Sequence, residues 1–256
     1  MAGILEKFGL GGKVALVTGA ARGLGQAVCV ALAEAGADIV GVSLAAEAPA
    51  TAEAIAKTGR RYLHVPADLS SLEPIERIVE TAVRELGGID ILVNNAGIIR
   101  RNDAIDFSEK DWDDVMDVNL KSLFFLTQAV ARHMIDRDRG GKIVNIASML
   151  SFQGGVRVPS YTASKSGVRG LTMLLANEWA KHRIQVNAIA PGYMATDNTE
   201  MLRADSKRSA EILGRIPSGR WGAADDIAGA AVFLASAASD YVTGHTLAVD
   251  GGWLGR

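Results

Sequence analysis

The sequence predicts an α/β fold in which a parallel sheet is covered by helices on both faces. Short, mostly apolar runs rich in β-branched residues alternate with longer segments of helical spacing, as in chains built from repeated βαβ units. A glycine-rich turn follows the first short run. No Pro/Ser-rich linker or low-complexity segment interrupts the 256 residues, of which 48% are hydrophobic. We therefore expect a single three-layer α/β/α domain spanning residues 1–256.

The short runs predict seven parallel strands in a doubly wound sheet. Each is short and mostly apolar, as a strand buried on both faces should be. The predicted strands are Lys13–Thr18, Asp38–Ser43, Arg61–Pro66, Asp90–Asn94, Lys142–Ala147, Ile184–Ala190 and Thr246–Val249.

The longer segments predict the covering helices. Their apolar residues recur at the spacing of a helix that packs one side on a sheet. The predicted helices are Leu24–Ala35, Ala50–Thr58, Ile75–Leu86, Trp112–Met134 and Tyr161–Lys181. A polar, arginine-containing stretch at 198–219 interrupts this pattern before a helix near Asp225, and we interpret it as a substrate lid.

Composition narrows the class of ligand and the compartment. The net charge is −2 and the two signs are interspersed, so we expect neither a nucleic-acid nor a membrane partner and favour small molecules. Cys29 is the single cysteine and lies in an apolar helical run, which predicts a buried thiol in a cytoplasmic protein. The four histidines, at 64, 133, 182 and 245, are scattered, and no metal site is expected.

The turn after the first strand has the features of a phosphate-binding loop. Thr18–Gly25 contains glycines at 19, 23 and 25, where the backbone must turn tightly and approach a pyrophosphate at a helix N-terminus. Its Gly-x-x-x-Gly-x-Gly spacing differs from the commoner Gly-x-Gly-x-x-Gly. Its position in the first βα turn of a doubly wound pattern predicts dinucleotide binding.

The sequence leaves the choice between NAD(H) and NADP(H) open. At the end of the second strand, an acidic residue would accept a hydrogen bond from the ribose of NAD, and an arginine would pair with the phosphate of NADP. Ser43 occupies this position. Arg22 in the phosphate loop either reaches a 2′-phosphate or faces solvent.

A second group of residues predicts acid/base chemistry. Tyr161 and Lys165 stand four residues apart and project from one face of a helix, which Ser160 after Pro159 is expected to cap. A nearby ammonium lowers a tyrosine pKa and favours proton exchange. Ser148 follows an apolar strand at the sheet edge where ligands of such folds gather, and its hydroxyl can bind a substrate carbonyl.

Taken together, these motifs resemble the short-chain dehydrogenase/reductase family in order and spacing over essentially the whole chain. The resemblance is carried by Thr18–Gly25, Asp68, Asn94–Gly97, Asn119, Ser148, Tyr161-x-x-x-Lys165 and Pro191–Gly192. It implies a Rossmann-like sheet, an NAD(H) or NADP(H) cofactor and a homotetramer.

By this resemblance Tyr161 exchanges the substrate proton and Ser148 orients the carbonyl. Lys165 holds the nicotinamide ribose and lowers the tyrosine pKa, and Asn119 anchors a relay water. The residues expected at the cofactor are Gly19, Arg22, Gly23, Leu24, Gly25, Ser43, Asp68, Leu69, Asn95, Ala96, Gly97, Tyr161, Lys165, Pro191, Gly192 and Thr196.

Segments 95–101, 107–114, 147–155 and 250–254 look like those of family members that act on carboxylated keto or deoxy sugars, of the 2-deoxy-D-gluconate or 2-dehydro-3-deoxy-D-gluconate type. This resemblance implies an acidic sugar from the breakdown of pectin or related uronates, with NAD(H) as the usual cofactor. The expected substrate contacts are Ser148, Gln153, Arg157 and Tyr161. Among Arg100, Arg101 and Arg157, we prefer Arg157 as the carboxylate partner because four residues separate it from Tyr161.

Two other functions are weighed against this hypothesis. A 3-oxoacyl-carrier-protein reductase would share the fold and the catalytic residues, but the substrate-loop resemblance disfavours it. A dinucleotide-binding regulator without turnover would keep the fold alone. The presence of Asn119, Ser148, Tyr161 and Lys165 argues against such a regulator.

Overall fold

A computed structural model describes residues 3–256 as one α/β domain around a seven-stranded parallel sheet. The strands are β1 (Val14–Thr18), β2 (Asp38–Ser43), β3 (Tyr62–Pro66), β4 (Ile91–Asn94), β5 (Gly141–Ile146), β6 (Ile184–Pro191) and β7 (Thr246–Val249). Their order across the sheet is β3-β2-β1-β4-β5-β6-β7. The direction of progression reverses between β1 and β4, and ligands of doubly wound folds bind beyond such a reversal.

Nine α-helices surround the sheet within the described residues. They are α1 (Gly23–Glu34), α2 (Pro49–Ala56), α3 (Ile75–Leu86), α4 (Glu109–Met116), α5 (Ser122–Asp136), α6 (Pro159–Trp179), α7 (Glu200–Ala204), α8 (Ser206–Leu213) and α9 (Ala228–Ala235). Short single-turn segments connect several of them.

The sheet separates two apolar cores. Side chains of successive strand residues point to opposite faces. Ala15 and Val17 therefore pack with helices α1 and α9, while Leu16 packs with α3, α5 and α6. Burial on both faces explains why the strands are almost uninterrupted apolar runs, and it confirms the predicted three-layer architecture.

The predicted strands are confirmed to within about one residue at each end, but the predicted helix Trp112–Met134 is wrong. The helix begins earlier, at Glu109, because the Ser108 side chain accepts a hydrogen bond from the Asp111 amide at 3.1 Å. It is also interrupted, since residues Asp117–Lys121 form one π-helical turn between α4 and α5. Apolar periodicity does not reveal a single inserted residue of this kind.

The expected cap of the next helix is also wrong. Helix α6 has Val158 as its N-cap and Pro159 in its first turn, where the fixed φ of proline suits a helix and no amide hydrogen is needed. Ser160 lies inside the helix, and its buried hydroxyl has no hydrogen-bond partner among the described residues.

The stretch 198–219 contains two short helices that the sequence did not predict, α7 and α8. They are held over the carboxyl edge of the sheet by an apolar cluster in which Ile212 and Ile216 pack with Met149 and Trp253. The lid role of this stretch stays a prediction.

None of the helices in residues 3–256 has both the length and the apolarity needed to cross a bilayer. Cys29 is fully buried in α1, which confirms its predicted burial, and burial raises the pKa of its thiol.

Candidate active site

A cleft of about 650 Å³ opens at the carboxyl edge of the sheet, where the strand order reverses. Of the residues expected at the cofactor, all except Pro191 and Gly192 line it. The cleft is also lined by residues that the sequence analysis did not single out, which are Ala21, Val42, Leu44, Ala45, Ala67, Ile98, Val118, Ile146, Asp197 and Asn198. Leu44, Ala45 and Ala67 could have been found as residues that directly follow a strand.

The glycine-rich turn forms one wall of the cleft. Gly19 has a φ of +68°, which favours glycine, and a Cβ added to Gly19 would lie 2.7 Å from Nδ2 of Asn95. A Cβ on Gly25 would overlap the backbone oxygen of Gly19 and lie 2.5 Å from the same Asn95 nitrogen. The glycines therefore let the start of α1 approach the turn closely. In this position the backbone amides at the start of α1 face the cleft.

Hydrogen bonds hold this turn against the loop after β4. Oγ1 of Thr18 accepts from the amides of Asn95 and Ala96 at 3.0 and 2.9 Å, and Nδ2 of Asn95 donates to the Thr18 backbone oxygen at 2.9 Å. The two loops on either side of the strand reversal thus form a single rigid floor.

The end of the cleft beside β2 carries an unpartnered polar group. The hydroxyl of Ser43 is buried and has no hydrogen-bond partner among the described residues. Leu44, beside it, exposes 75% of its surface. Asp68, in the loop after the neighbouring strand β3, also lines the cleft and accepts a hydrogen bond from the Ser70 amide at 2.8 Å. An exposed apolar side chain next to free polar groups fits a nucleoside.

Pro191 and Gly192 do not line the cleft, and their contact with a cofactor stays a prediction. Pro191 ends β6, and Gly192 adjoins a second, smaller cavity. A Cβ on Gly192 would come within 2.6 Å of the Asp250 Cα, so this glycine is required for close packing of two backbone segments. Only Thr196, four residues further along the chain, reaches the cleft.

The π-helical turn positions Asn119. Its side chain is fully buried; Oδ1 accepts from the Ile98 amide at 2.8 Å, and Nδ2 donates to the Ile98 backbone oxygen at 2.9 Å. Nδ2 also lies 3.3 Å from Oγ of Ser164 on α6. Asn119 therefore ties the loop after β4 to the helix that carries Tyr161 and Lys165.

Ser148 lies just beyond β5, as predicted. It is 7% exposed, and its Oγ accepts a hydrogen bond from the Leu150 amide at 3.1 Å. Its own amide donates to Oγ of Ser151 at 3.3 Å. Sequence reasoning did not single out Ser151, because a serine in a turn carries no distinguishing pattern.

Tyr161 and Lys165 meet at the inner end of the cleft. The Lys165 Nζ lies 5.7 Å from the centre of the Tyr161 ring and donates to the Ile146 backbone oxygen at 2.5 Å. Burial lowers the pKa of Lys165 to about 8. Burial also raises the pKa of Tyr161 above its usual value, while hydrogen bonding with Ser148 and the charge of Arg101 act in the opposite direction.

The charge of Arg101 lowers the Tyr161 pKa, a contribution that the sequence analysis did not expect. The effect of Lys165 on Tyr161 stays a prediction, and burial disfavours the ammonium form of Lys165. The Arg101 guanidinium donates to the Asn198 backbone oxygen at 2.8 Å, and partial desolvation lowers its own pKa. This bond links the rim of the site to the predicted lid.

Of the four predicted substrate contacts, only Tyr161 lines the cleft. Arg157 has a φ of +65°, and its Nε lies 2.9 Å from Oδ1 of Asp103, with 59% of its side chain exposed. Gln153 follows a short turn, where its amide donates to the Met149 backbone oxygen at 3.3 Å. Neither side chain lines the cleft that holds Tyr161.

The cleft fits an extended dinucleotide. Close-packed glycines leave room for a pyrophosphate at the start of α1, and the free Ser43 hydroxyl and exposed Leu44 suit an adenosine at one end. Ionisable groups are concentrated at the other end, where a tyrosine can exchange a proton beside a bound carbonyl or alcohol.

Comparisons with known proteins agree with this geometry. The family model described as "Enoyl-(Acyl carrier protein) reductase" matches residues 19–254. The chain belongs to the short-chain dehydrogenase/reductase family, a class of NAD(P)-dependent oxidoreductases.

Within that family, similar proteins are named for sugar acids. The chain is 64% identical to 2-dehydro-3-deoxy-D-gluconate 5-dehydrogenase of Escherichia coli over 253 residues, covering 99% of this chain and 100% of the relative. A structure of a putative 2-deoxy-D-gluconate 3-dehydrogenase from Agrobacterium tumefaciens with bound NADP is 59% identical, with a TM-score of 0.90 and coverage of 98% and 99%. A gluconate 5-dehydrogenase from Burkholderia cenocepacia, in complex with NADP and tartrate, is 42% identical, with a TM-score of 0.95 and coverage of 99% and 100%.

Proposed function

We propose that this chain transfers a hydride between a nicotinamide dinucleotide and a secondary alcohol or ketone of a small sugar acid, of the 2-dehydro-3-deoxy-D-gluconate type. The observation that carries the proposal is that Tyr161 and Lys165 line the inner end of a dinucleotide-sized cleft, where hydrogen bonding with Ser148 and the charge of Arg101 both lower the pKa of Tyr161. The similarity to a relative named for this sugar acid, at 64% identity over nearly the whole chain, supports the substrate class.

The chain's own residues would hold the cofactor along the cleft. The amides at the start of α1 would bind the pyrophosphate, Ser43 and Leu44 would receive the adenosine, and Lys165 and Thr196 would border the nicotinamide end. When bound, a nicotinamide would supply the hydride acceptor for an alcohol or the hydride donor for a ketone.

Tyr161 is the acid/base in this proposal. In the direction of alcohol oxidation, its phenolate takes the hydroxyl proton; in the direction of reduction, its phenol returns that proton to the oxygen. Hydrogen bonding with Ser148 favours the phenolate and leaves Ser148 in position to bind the same substrate oxygen. Asn119 keeps α6 and the loop after β4 at a fixed separation through its bonds to Ile98 and Ser164.

Arg101 is the best-placed partner for the substrate carboxylate. It is a guanidinium on the rim of the site whose charge acts on Tyr161, and its desolvation strengthens any ion pair that it forms. Arg157, which we expected in this role, already pairs with Asp103. The two arginines therefore provide a matched comparison.

The test is to follow nicotinamide absorbance while NAD and NADP are each offered with 2-dehydro-3-deoxy-D-gluconate, 2-deoxy-D-gluconate and D-gluconate. We expect turnover of at least one sugar acid, lost by a factor of about 10² or more in Tyr161→Phe. Arg101→Met should raise the Michaelis constant for the acid by about tenfold or more and leave that for a neutral polyol unchanged, while Arg157→Met serves as the control.

The result also separates the alternatives. Reduction of a 3-oxoacyl thioester without turnover of any sugar acid would replace this proposal by an acyl-carrier-type reductase. Tight cofactor binding without turnover in a broad panel of carbonyl compounds would favour a regulator.

The cytoplasmic location, the homotetramer, the part in pectin breakdown and the lean towards NAD(H) remain predictions. Fractionation of the native host, mass photometry of the purified protein, and growth of a deletion strain on polygalacturonate would test the first three.

A further inference from the structure

One ion pair spans the mouth of the cofactor cleft. Nη1 of Arg22 lies 3.1 Å from Oδ2 of Asp197. Arg22 belongs to the phosphate turn and precedes α1, whereas Asp197 follows Thr196 on the opposite wall. The walls are close here, since a Cβ added to Gly23 would lie 3.9 Å from Cγ2 of Thr196. Both charged side chains line the cleft and are largely exposed, at 82% and 69%.

Among the described residues that line the cleft, Arg22 is the cation of the outer part. Among the described residues that line it, the other charged side chains are Asp68, Lys165 and Asp197. Lys165 is buried at the inner end and bonded to the Ile146 backbone oxygen. The end of β2 offers the free hydroxyl of Ser43 with no carboxylate beside it. Arg22 is therefore the group that a phosphate on the adenosine ribose would attract.

We propose that Asp197 sets the preference between NAD(H) and NADP(H) by competing with the 2′-phosphate of NADP(H) for the guanidinium of Arg22. This inference rests on the proposed use of a nicotinamide dinucleotide and concerns the choice between its two forms. NAD(H) has no 2′-phosphate and leaves the Arg22–Asp197 pair intact. NADP(H) must break the pair to use Arg22.

The physical basis is that the pair is exposed and weak. An exposed ion pair changes an equilibrium constant by at most about fivefold, so a phosphate that carries nearly two negative charges can displace it at a modest cost. Salt screens the attraction between exposed charges, including that between the phosphate and Arg22. Removing the carboxylate should therefore strengthen NADP(H) binding selectively, and most clearly at low salt.

The experiment is a fluorescence titration of NADPH and NADH, without sugar, into the full chain. The proteins are the wild type, Asp197→Asn, Arg22→Ala and the double variant, at about 50 mM and about 500 mM salt. Asp103→Asn is the matched control, because it removes the same charge from an exposed aspartate–arginine pair that does not line the cleft.

We expect Asp197→Asn to tighten NADPH binding by about fivefold at low salt, less at high salt, and to change NADH binding by less than about twofold. In the Arg22→Ala background the same substitution should change NADPH binding by less than about twofold, as should Asp103→Asn in the wild type. Equal tightening with and without Arg22 would overturn the proposal, since the carboxylate would then act on the phosphate directly. So would unchanged NADPH binding in Asp197→Asn.

These outcomes are independent of the sugar. If the wild type binds cofactor but turns over no sugar acid, the substrate assignment fails and the titrations still decide the role of Asp197. If the wild type binds neither NADH nor NADPH, both this inference and the proposed cofactor fail.

Discussion

The hydroxyl of Ser151 donates a hydrogen bond to the backbone oxygen of Lys165 at 2.6 Å. The same hydroxyl accepts from the Ser148 amide at 3.3 Å. Ser151 is buried and joins the loop after β5 to the middle of α6. The two segments that carry Ser148 and the Tyr161–Lys165 pair are thus joined by one side chain that does not itself line the cleft. We interpret Ser151 as a positioning residue.

Ser151→Ala should lower kcat by about tenfold and leave the cofactor dissociation constant unchanged. The buried Ser148 amide loses its partner, and misplacement of a catalytic group by a fraction of an ångström slows the chemical step. Steady-state kinetics and a fluorescence titration measure the two quantities. Ser166→Ala on the same helix is the control, since its exposed hydroxyl makes only a 3.5 Å bond to the Leu150 backbone oxygen. Equal loss in both variants would contradict the positioning role.

Arg101→Met should shift the pH dependence of alcohol oxidation to higher pH. In the proposed mechanism oxidation needs the Tyr161 phenolate, and the Arg101 charge lowers the pKa of Tyr161. Without the guanidinium the pKa rises, so the rate at neutral pH falls and recovers only at more alkaline pH. The measurement is kcat/KM for oxidation across the alkaline range. Arg101→Lys keeps a cation and should keep most of the wild-type profile; an unshifted profile in Arg101→Met would disprove the coupling.

Gly25→Ala should weaken cofactor binding by at least about tenfold and destabilise the fold. Its Cβ would overlap the Gly19 backbone oxygen and push α1 away from the phosphate turn. Gly229→Ala in α9 is the matched control, because nothing lies within 4 Å of its added Cβ, and it should be neutral or slightly stabilising. Titration with NADH and NADPH and thermal unfolding report both effects. Unchanged binding in Gly25→Ala would show that the turn tolerates a wider spacing.

His133 should make the fold less stable as the pH falls. Its Nε2 accepts from the Ile89 amide at 3.2 Å, and burial and the neighbouring Arg137 lower its pKa below 6.5, although Asp90 and Asp136 act in the opposite direction. The folded protein therefore favours the neutral ring. Well above pH 6.5, the contribution of His133 to the free energy of unfolding does not change with pH. Below pH 6.5 this contribution becomes destabilising, because the histidine of the unfolded chain binds a proton at a higher pH than the histidine of the folded protein.

Urea unfolding of the wild type and of His133→Gln between about pH 8 and pH 5 measures this contribution. The variant should lose the part of the pH dependence that belongs to His133, while its glutamine side chain still offers an acceptor for the Ile89 amide. Parallel curves for the two proteins would rule out a role for this histidine.

The sequence alone predicted the fold and most of the candidate site. Seven apolar runs and the glycine spacing of Thr18–Gly25 are enough for the sheet and the phosphate turn, because buried parallel strands and a pyrophosphate-binding turn each restrict the allowed residues strongly. Local patterns of this kind do not depend on distant contacts.

Other features depend on contacts between distant parts of the chain. The π-helical turn at Asn119 and the cap at Val158 are set by how α4, α5 and α6 pack. Arg101, whose charge acts on Tyr161, precedes it by 60 residues, so that proximity in sequence favoured Arg157 and did not reveal Arg101.

The sequence by itself thus determined the class of fold, the phosphate turn and the residue types of the catalytic group, because these follow from local propensity and spacing. Only the tertiary structure decided which arginine acts on Tyr161 by its charge, which serine joins the segments that carry Ser148 and Tyr161, and that Arg22 pairs with Asp197 across the cleft. Charge and hydrogen bonding act through space, and the distances on which they depend are set by packing.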